Sequence, residues 1–264
     1  MNTLRGIGLF FLQCLTTPFF VFLMILSIPL GGSIVFRLAA IWCGLNVDMA
    51  AALGMRYQVI WDSSLPAGPA VILAKHSSAW ETFFLMKAFP RAATVVKKEL
   101  LSIPFFGWGL AMCEPIAIDR SSPRLARSQV QTQGLASLKK GHWISLFPEG
   151  TRTPAGFRGR YASSGAAVAL AAGVPVIAVA HDAGFFWKKS LFDKRAGVIQ
   201  VRVSAPMWPI DSDESSTGFT HRVEAWIEAQ IESFGHPPAQ ALSSLKKVGS
   251  SSTEASEGSP PPSE

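Results

Sequence analysis

A long apolar run opens the chain and then gives way to shorter patterns. Between Arg5 and Arg37, thirty-one consecutive residues carry no charge. A run of this length predicts a helical membrane segment, because about twenty apolar residues suffice to cross the hydrocarbon layer. Pro18, Pro29 and Gly31-Gly32 interrupt it, so it fits one kinked span or two short helices that dip into one leaflet. A cleaved signal peptide fits less well, because the run is too long for one.

Short strand-like and helical patterns follow this segment. Residues 37–55 predict a helical connector. Alternating or wholly apolar runs predict strands at residues 56–62, 69–75, 93–98, 114–120, 142–150, 174–181 and 198–206. Amphipathic or apolar spacing predicts helices at residues 80–89, 124–140, 162–172 and 215–234. Strands that alternate with helices in this way predict an α/β fold with a mixed, largely parallel sheet flanked by helices.

The same patterns divide the chain into three parts. Residues 1–54 are predicted to form the membrane anchor and connector, and residues 55–242 one globular domain of catalytic size. Residues 243–264 are rich in Ser, Pro and Glu, a composition typical of disorder, so they are predicted to form a disordered tail.

Composition strengthens the prediction of contact with lipid. Of the 264 residues, 48% are hydrophobic and only 16% are charged, with 18 Phe and 8 Trp. The net charge is +6, and it becomes +9 when the three glutamates of residues 249–264 are left out. A basic, aromatic-rich body fits an anionic membrane surface or a phosphorylated substrate. Nucleic acid fits least well as a partner, because the basic residues form no dense block.

The three cysteines predict neither a disulfide framework nor a zinc site. Cys14, Cys43 and Cys113 are far apart in sequence, and no C-x-x-C motif occurs. A reducing cytoplasm is the simplest compartment for such a chain.

Four polar clusters directly follow predicted strands. They are KHSSAWE, IDR, FPEGTR and AHDAG. Functional groups gather at the carboxyl ends of strands in open α/β sheets, so this arrangement is the main indication of a site. His181 and Asp182 of the fourth cluster fit either the wall of that site or a plain loop.

The first cluster places a histidine and a carboxylate five positions apart. Residues five apart on one helix diverge by about 140°, so His76 and Glu81 meet only if His76 precedes the helix. Ser77 and Ser78 are good helix-capping residues, which allows that corner. A carboxylate there would accept the Nδ1 proton and leave Nε2 as a base. Taken alone, the pair also fits a capping-region histidine beside a surface glutamate.

The third cluster suggests an anion site. Pro148 ends its strand, and Gly150 permits a tight turn that presents Glu149 and Arg152. An arginine binds phosphate or carboxylate through two parallel hydrogen bonds. An ordinary turn with an exposed ion pair is the plainer alternative.

Taken together, these motifs resemble the 1-acylglycerol-3-phosphate acyltransferase (lysophosphatidic acid acyltransferase) family. His76 to Glu81 is similar to the family's H-x-x-x-x-D, Ile118 to Arg120 to its I-D-R, and Phe147 to Arg152 is its F-P-E-G-T-R unchanged. Val174 to Ile177 resembles its fourth block, and KKELLSIPFFGWG its K-x-E-L…P-x-x-G stretch. Three positions depart from the family pattern. Glu81 replaces the usual Asp, Lys75 stands where Asn is common, and Ala162 lies near the place where many members have Lys.

The resemblance implies a membrane-bound enzyme that needs no cofactor and no metal. It would transfer an acyl group from acyl-CoA or acyl-carrier protein to the sn-2 hydroxyl of lysophosphatidic acid. His76 would be the base and Glu81 would orient it. Arg152, with Glu149 shaping its loop and Arg120 and Lys97 or Lys98 nearby, would hold the acceptor phosphate. The expected substrate-binding residues are Lys97, Lys98, Arg120, Glu149, Gly150, Thr151 and Arg152. The expected location is a bacterial inner membrane, with the catalytic domain on the cytoplasmic face.

Other functions remain open at this point. A serine hydrolase would need a nucleophile, but no G-x-S-x-G occurs. A metalloenzyme lacks ligand spacing among the histidines, since H-x-x-x-x-E is not H-E-x-x-H. A non-catalytic membrane-binding module would not need His76. Another acyltransferase of the same family could act on a different lysolipid, such as a lyso-ornithine lipid.

Overall fold

The computed structural model describes residues 1–241. The predicted disordered tail, residues 243–264, lies outside the described residues. The helices are α1 (Asn2–Ser27), α2 (Gly32–Ala52), α3 (Trp80–Ala88), α4 (Phe106–Met112), α5 (Pro123–Lys139), α6 (Ser164–Ala172) and α7 (Ser216–Ser233). The strands are β1 (Met55–Trp61), β2 (Val71–Ala74), β3 (Ala92–Lys97), β4 (Ile116–Ile118), β5 (Trp143–Leu146), β6 (Phe157–Arg158), β7 (Val176–His181), β8 (Gly197–Val203) and β9 (Gln240–Ala241).

The apolar N-terminal run forms a helical hairpin. Helix α1 continues through Pro18 and ends at Ser27, where a 3₁₀ turn over Ile28–Leu30 and Gly31, with φ of 101°, reverses the chain. Helix α2 then packs back along α1. Residues 37–55, predicted as a helical connector, are helical up to Ala52 and continue α2 without a break from Gly32.

Two polar contacts hold the hairpin together. The side-chain amide of Gln13 donates to Asn46 Oδ1 at 2.9 Å, and the Trp42 indole N–H donates to Thr16 Oγ1 at 3.2 Å. Both helices are long and apolar enough to cross a membrane by length and composition. They differ in packing, since 17% of the most apolar window of α1 is buried inside the protein against 44% for α2.

A seven-stranded mixed sheet forms the centre of the domain. Its strand order is β1-β8-β7-β2-β5-β3-β4. The five strands from β7 to β4 run parallel to one another, whereas β8 is antiparallel to β7 and pairs in parallel with β1. The predicted fold class is therefore confirmed, including the hydrophobic helix pair at the N-terminus.

Helices cover both faces of the sheet, and β2 shows how its side chains divide between them. Ile72 and Ala74 pack with α3 and the second half of α2 in one core. Val71 and Leu73 face the opposite core, which α5, α6 and α7 complete. All four are fully buried, as expected for a central parallel strand that is covered on both sides.

A third apolar cluster joins the hairpin to the domain. Met24 of α1 and Phe36, Ala39 and Cys43 of α2 pack there with Met86 of α3. Because α2 also contacts β1, the second helix of the hairpin is part of the folded domain as well as of the apolar run.

The sequence patterns missed two features. Helix α4 is only seven residues long and lies in a segment with no clear periodicity. Strands β6 and β9 form a two-residue parallel pair, in which Phe157 faces Gln240 across 82 intervening positions. Neither element is long enough to give a sequence signal of its own.

Candidate active site

Polar residues of the sequence clusters meet at the carboxyl edge of the parallel strands. His76 follows β2, Phe147 follows β5, and Asp119 and Arg120 follow β4. Lys97 is the last residue of β3. Because these strands are neighbours in one parallel sheet, their ends bring together residues that are far apart in sequence.

The corner between β2 and α3 joins His76 to Glu81. His76 lies before the helix, and its Nδ1 is 2.9 Å from Glu81 Oε1 in the first turn. The same oxygen accepts hydrogen bonds from the backbone N–H groups of Ser77, at 3.0 Å, and Ser78, at 2.8 Å. The Ser78 hydroxyl donates to Glu81 Oε2. Since a carboxylate only accepts, these contacts place the His76 proton on Nδ1 and leave Nε2 unprotonated.

Glu81 is held in its ionised form. Its complete burial favours the neutral acid, but the nearby His181, the hydrogen bond and charge of His76 and the Ser78 hydroxyl outweigh that effect and lower the pKa of Glu81 to about 2. His181 Nε2 lies 4.0 Å from Glu81 Oε2. A carboxylate that stays charged can stabilise a positive charge on the His76 ring.

The main chain of His76 is fixed by the loop after β5. Glu149 Oε2 accepts a hydrogen bond from the backbone N–H of His76 at 3.0 Å. Thr153 donates its backbone N–H to the carbonyl of His76 at 2.8 Å. Its single hydroxyl proton is shared between that carbonyl and Glu149 Oε1, each 3.0 Å away. The ring stacks on Phe147 with centroids 3.9 Å apart. The FPEGTR loop therefore positions His76 from two sides.

A cavity of about 460 Å³ opens beside His76. One part of its wall is cationic, formed by Lys97, Arg120, Arg152 and Lys189. Another part is apolar and includes Phe83, Val96, Leu100 and Phe106. These four also line a second, largely apolar cavity of about 110 Å³, which continues between α1, α2 and α4 toward Trp42 and Cys43. The arrangement suits a ligand with an anionic head and a hydrocarbon chain.

The predicted site residues separate into two groups. Lys97, Arg120, Thr151 and Arg152 line the cavity with His76, as the sequence suggested. Gly150 makes the turn that Thr151 and Arg152 follow, with φ of 68°. Lys98 and Glu149 are not in the cavity wall. The Lys98 ammonium instead forms a hydrogen bond with Asp119, which raises the pKa of the lysine.

Glu149 is the larger correction. Its side chain is fully enclosed. Oε2 accepts from the His76 N–H, and Oε1 accepts from Gly159 N at 2.8 Å, Thr153 Oγ1 at 3.0 Å and the Lys75 ammonium at 3.0 Å. An enclosed carboxylate with these four donors around it presents no accessible oxygen to a substrate. Its place in the structure is that of a loop-holding residue, and its predicted direct contact with substrate is not supported.

His181 and Asp182 also lie outside the cavity wall. His181 is buried and donates from Nε2 to the Lys75 carbonyl at 2.8 Å. Asp182 Oδ1 accepts from the backbone N–H of Gln200, also at 2.8 Å. Among residues 1–241, no group of three or more His, Cys, Asp or Glu side chains is arranged to hold a metal ion.

Comparison with known proteins agrees with this geometry. Residues 56–182 match the family model described as Acyltransferase. A 1-acyl-sn-glycerol-3-phosphate acyltransferase from Pseudomonas aeruginosa is 40% identical over 230 residues, which cover 81% of this chain and 90% of that protein. The chain belongs to the 1-acyl-sn-glycerol-3-phosphate acyltransferase family. A member from Saccharomyces cerevisiae is 35% identical over 109 residues, 40% of this chain and 35% of that protein.

The fold of this acyltransferase is also found in a solved structure. The 1-acyl-sn-glycerophosphate (LPA) acyltransferase from Thermotoga maritima matches 89% of this chain and 97% of its own, with a TM-score of 0.71 and 18% identity. Within the acyltransferase family pattern, Glu81 stands in place of Asp. Its carboxylate reaches back to the N–H groups of Ser77 and Ser78.

Sequence reasoning missed two residues of this acyltransferase site. Lys189, in the loop after β7, supplies a cation to the cavity wall, and the only sequence signal was the Lys188-Lys189 pair downstream of a strand end. Phe147 was read as part of a motif, but its contact with the His76 ring depends on the pairing of β2 with β5.

Proposed function

We propose that this protein transfers a fatty acyl group from an acyl thioester to the sn-2 hydroxyl of lysophosphatidic acid, which gives phosphatidic acid. The observation that carries the proposal is the cavity beside His76. It combines an oriented imidazole, a cationic wall for a phosphate and an apolar continuation for a hydrocarbon chain. The relatives named as 1-acyl-sn-glycerol-3-phosphate acyltransferases support the same reaction.

In the proposed reaction His76 acts as general base. Nε2 takes the proton from the acceptor hydroxyl while the hydroxyl oxygen attacks the thioester carbonyl. The C–O bond of the new ester forms, the C–S bond breaks, and the proton passes from His76 to the departing thiolate. General-base catalysis of this type contributes roughly 10² to 10⁴-fold, and Glu81 stabilises the imidazolium in between. Ser77 Oγ accepts from Gly184 N and Ser78 Oγ donates to Glu81, so neither hydroxyl is arranged as a nucleophile paired with Nε2.

We assign the acceptor phosphate to the cationic wall. Arg152 and Arg120, with Lys97 and Lys189, offer several donors around one opening. Arginine binds phosphate through paired hydrogen bonds, which fixes its orientation as well as its position. Acyl-CoA or acyl-carrier protein would serve as the donor, and no other cofactor is required by this chemistry.

We infer that the hairpin lies in one leaflet and does not cross the bilayer. Helix α2 packs against α3 and β1, so that face is unavailable to lipid. Helix α1 instead exposes Phe11, Leu15, Phe19, Phe22 and Leu26 along one face. This geometry would hold the cavity at the membrane surface, where a lysolipid resides. We place the protein at a bacterial inner membrane with the catalytic domain on the cytoplasmic side.

An acceptor panel tests the proposal. Purified protein in detergent or liposomes is supplied with acyl-CoA or acyl-carrier protein and with lysophosphatidic acid, glycerol 3-phosphate or a lyso-ornithine lipid. We expect acylation of lysophosphatidic acid and loss of about 10² to 10⁴-fold in kcat for His76→Ala. Equal turnover by wild type and His76→Ala would refute the mechanism. A preference for lyso-ornithine lipid would refute the acceptor, because that lipid has no phosphate for the cationic wall.

A further inference from the structure

A buried ammonium group stands one residue before His76. Lys75 is 4% exposed, and its Nζ lies 2.8 Å from Glu228 Oε1, 3.0 Å from Glu149 Oε1 and 3.1 Å from the carbonyl of Phe157. Three acceptors match the three N–H bonds of an ammonium group. The Lys75 side chain therefore has no donor left for a substrate, and it does not line the cavity beside His76.

This ammonium group lies between two buried carboxylates. Glu149, in the loop after β5, has an enclosed side chain, and Glu228, on α7, is 7% exposed. The Tyr161 hydroxyl adds a neutral donor to Glu228 Oε1 at 3.0 Å. Two like charges that share a buried site repel each other and favour protonation of one of them. The Lys75 ammonium group contacts both carboxylates and offsets this repulsion.

The position of Glu149 bears directly on His76. Glu149 Oε2 accepts from the His76 N–H, Oε1 accepts from Gly159 N and Thr153 Oγ1, and the backbone N–H of Thr153 donates to the His76 carbonyl. A continuous chain of contacts thus runs from α7 through Glu228, Lys75 and Glu149 to the main chain of His76. A displaced Glu149 would lose these hydrogen bonds, and the corner would loosen.

We propose that Lys75 is a positioning residue for the acyl transfer. It holds the Glu149 carboxylate in place beside Glu228, and Glu149 then fixes the main chain on which the His76 ring is mounted. The inference rests on the proposed function of His76 as general base. Lys75 contacts neither substrate, so its effect falls on the rate of the chemical step and not on the binding of acceptor or donor.

Three variants test the charge relationship. Lys75→Met keeps an unbranched stem but removes the ammonium, and we expect kcat to fall by about 10- to 10²-fold with KM values for both substrates within about threefold. Glu228→Gln keeps the Oε1 acceptor and leaves Lys75 paired with Glu149, so kcat stays within about threefold of wild type. The double variant Lys75→Met/Glu228→Gln leaves Glu149 as the single charge among its donors, and we expect it to recover most of the lost kcat.

A matched control separates this effect from general loosening of α7. Glu214→Gln removes the carboxylate that pairs with Arg222 at 2.7 Å near the start of the helix, with no contact to the His76 loop. We expect wild-type kcat for it. Wild-type kcat for Lys75→Met would overturn the proposal. A double variant no faster than Lys75→Met would overturn it too, as would an equal loss in Glu214→Gln.

Imidazole NMR of histidine-labelled protein provides a readout that does not need turnover. We expect the His76 ring signals to shift or broaden in Lys75→Met and to return in the double variant.

If wild type transfers no acyl group, the proposed function fails, and the NMR spectra of these variants still decide whether Lys75 positions His76. If Lys75→Met does not fold, the proposal requires the double variant to be folded with a His76 signal like that of Glu228→Gln. A double variant that is also unfolded overturns it.

Discussion

Glu81 receives four hydrogen bonds on its two oxygens, from His76 Nδ1, Ser77 N, Ser78 N and Ser78 Oγ. It therefore performs two tasks at once. It accepts hydrogen bonds from the backbone N–H groups of the two serines that precede α3, and it selects the tautomer of His76. A side chain whose partners are all hydrogen-bond donors is sensitive to loss of its charge.

Substitutions at Glu81 separate charge from length. Glu81→Gln retains shape but removes the charge that stabilises the His76 imidazolium, so we expect kcat to fall by about 10²-fold. Glu81→Asp keeps the charge but withdraws the carboxylate by about 1.5 Å, one carbon–carbon bond, and we expect most activity to remain. Steady-state kinetics on lysophosphatidic acid check both. Equal losses in the two variants would contradict the assignment of Glu81 as the charged orienting group.

The lowered pKa of Glu81 predicts a loss of stability in acid. The pKa is about 2 in the folded protein against 4.5 for an ordinary glutamate, so the folded state favours the ionised form. The stabilisation is therefore complete above pH 4.5 and is lost as the pH falls toward 2. Unfolding free energies measured across this range should decrease with acid for wild type. Glu81→Gln lacks the titrating group and should show a shallower decrease.

At the scale of elements, α6 lies unusually close to the sheet. Gly165 is in its first turn, and a Cβ there would stand 2.5 Å from Leu73 Cδ2 and 2.9 Å from Leu146 Cδ2. Both leucines are buried, so neither has space to move away. Glycine at this position allows the helix to pack directly on β2 and β5, the two strands that lead into His76 and the FPEGTR loop.

Gly165→Ala should accordingly destabilise the domain. Overpacking of this kind costs about 1–3 kcal/mol, and we expect a lower thermal midpoint in detergent. Gly8→Ala in α1 is the matched control, because a Cβ at Gly8 meets no atom within 4 Å. Alanine loses less backbone conformational entropy on folding than glycine does, so that variant should be more stable by about 0.5–1 kcal/mol. The same sign of change for both variants would contradict the packing seen for α6.

At the scale of the whole molecule, the exposed face of α1 is a hydrophobic surface. Phe19 and Phe22 are each 58% exposed on it. We expect Phe19→Glu/Phe22→Glu to weaken binding to liposomes of anionic phospholipid at least ~10-fold, since burial of each Phe is worth about 1.5–3 kcal/mol. Ile210→Glu is the control, because Ile210 is 75% exposed but lies in the loop before α7. Sedimentation with liposomes measures both, and equal binding by the double variant and wild type would contradict the orientation proposed for the hairpin.

Much of the fold followed from local patterns. The strands at Val71–Ala74 and Val176–His181 read as apolar runs, and α7 as an amphipathic helix, because a buried strand and a half-buried helix impose different periods on the sequence. The corner that joins His76 to Glu81 also followed, since helix geometry allows the two to meet only there. The sequence left open whether the N-terminal run forms one kinked span or two helices. In the structure Pro18 is tolerated inside α1 and the reversal occurs at Gly31.

The sequence by itself determined the order of the elements, the fold class and the motifs that place this chain in its family, because these depend on residues close together in the chain. The tertiary structure alone decided that Glu149 is enclosed against the main chain of His76, that Lys189 joins the cavity wall and that Lys75 meets Glu228 across 153 positions. Burial and charge pairing arise only when distant segments pack together. A lysine or glutamate reads alike in sequence whether it is solvated or enclosed.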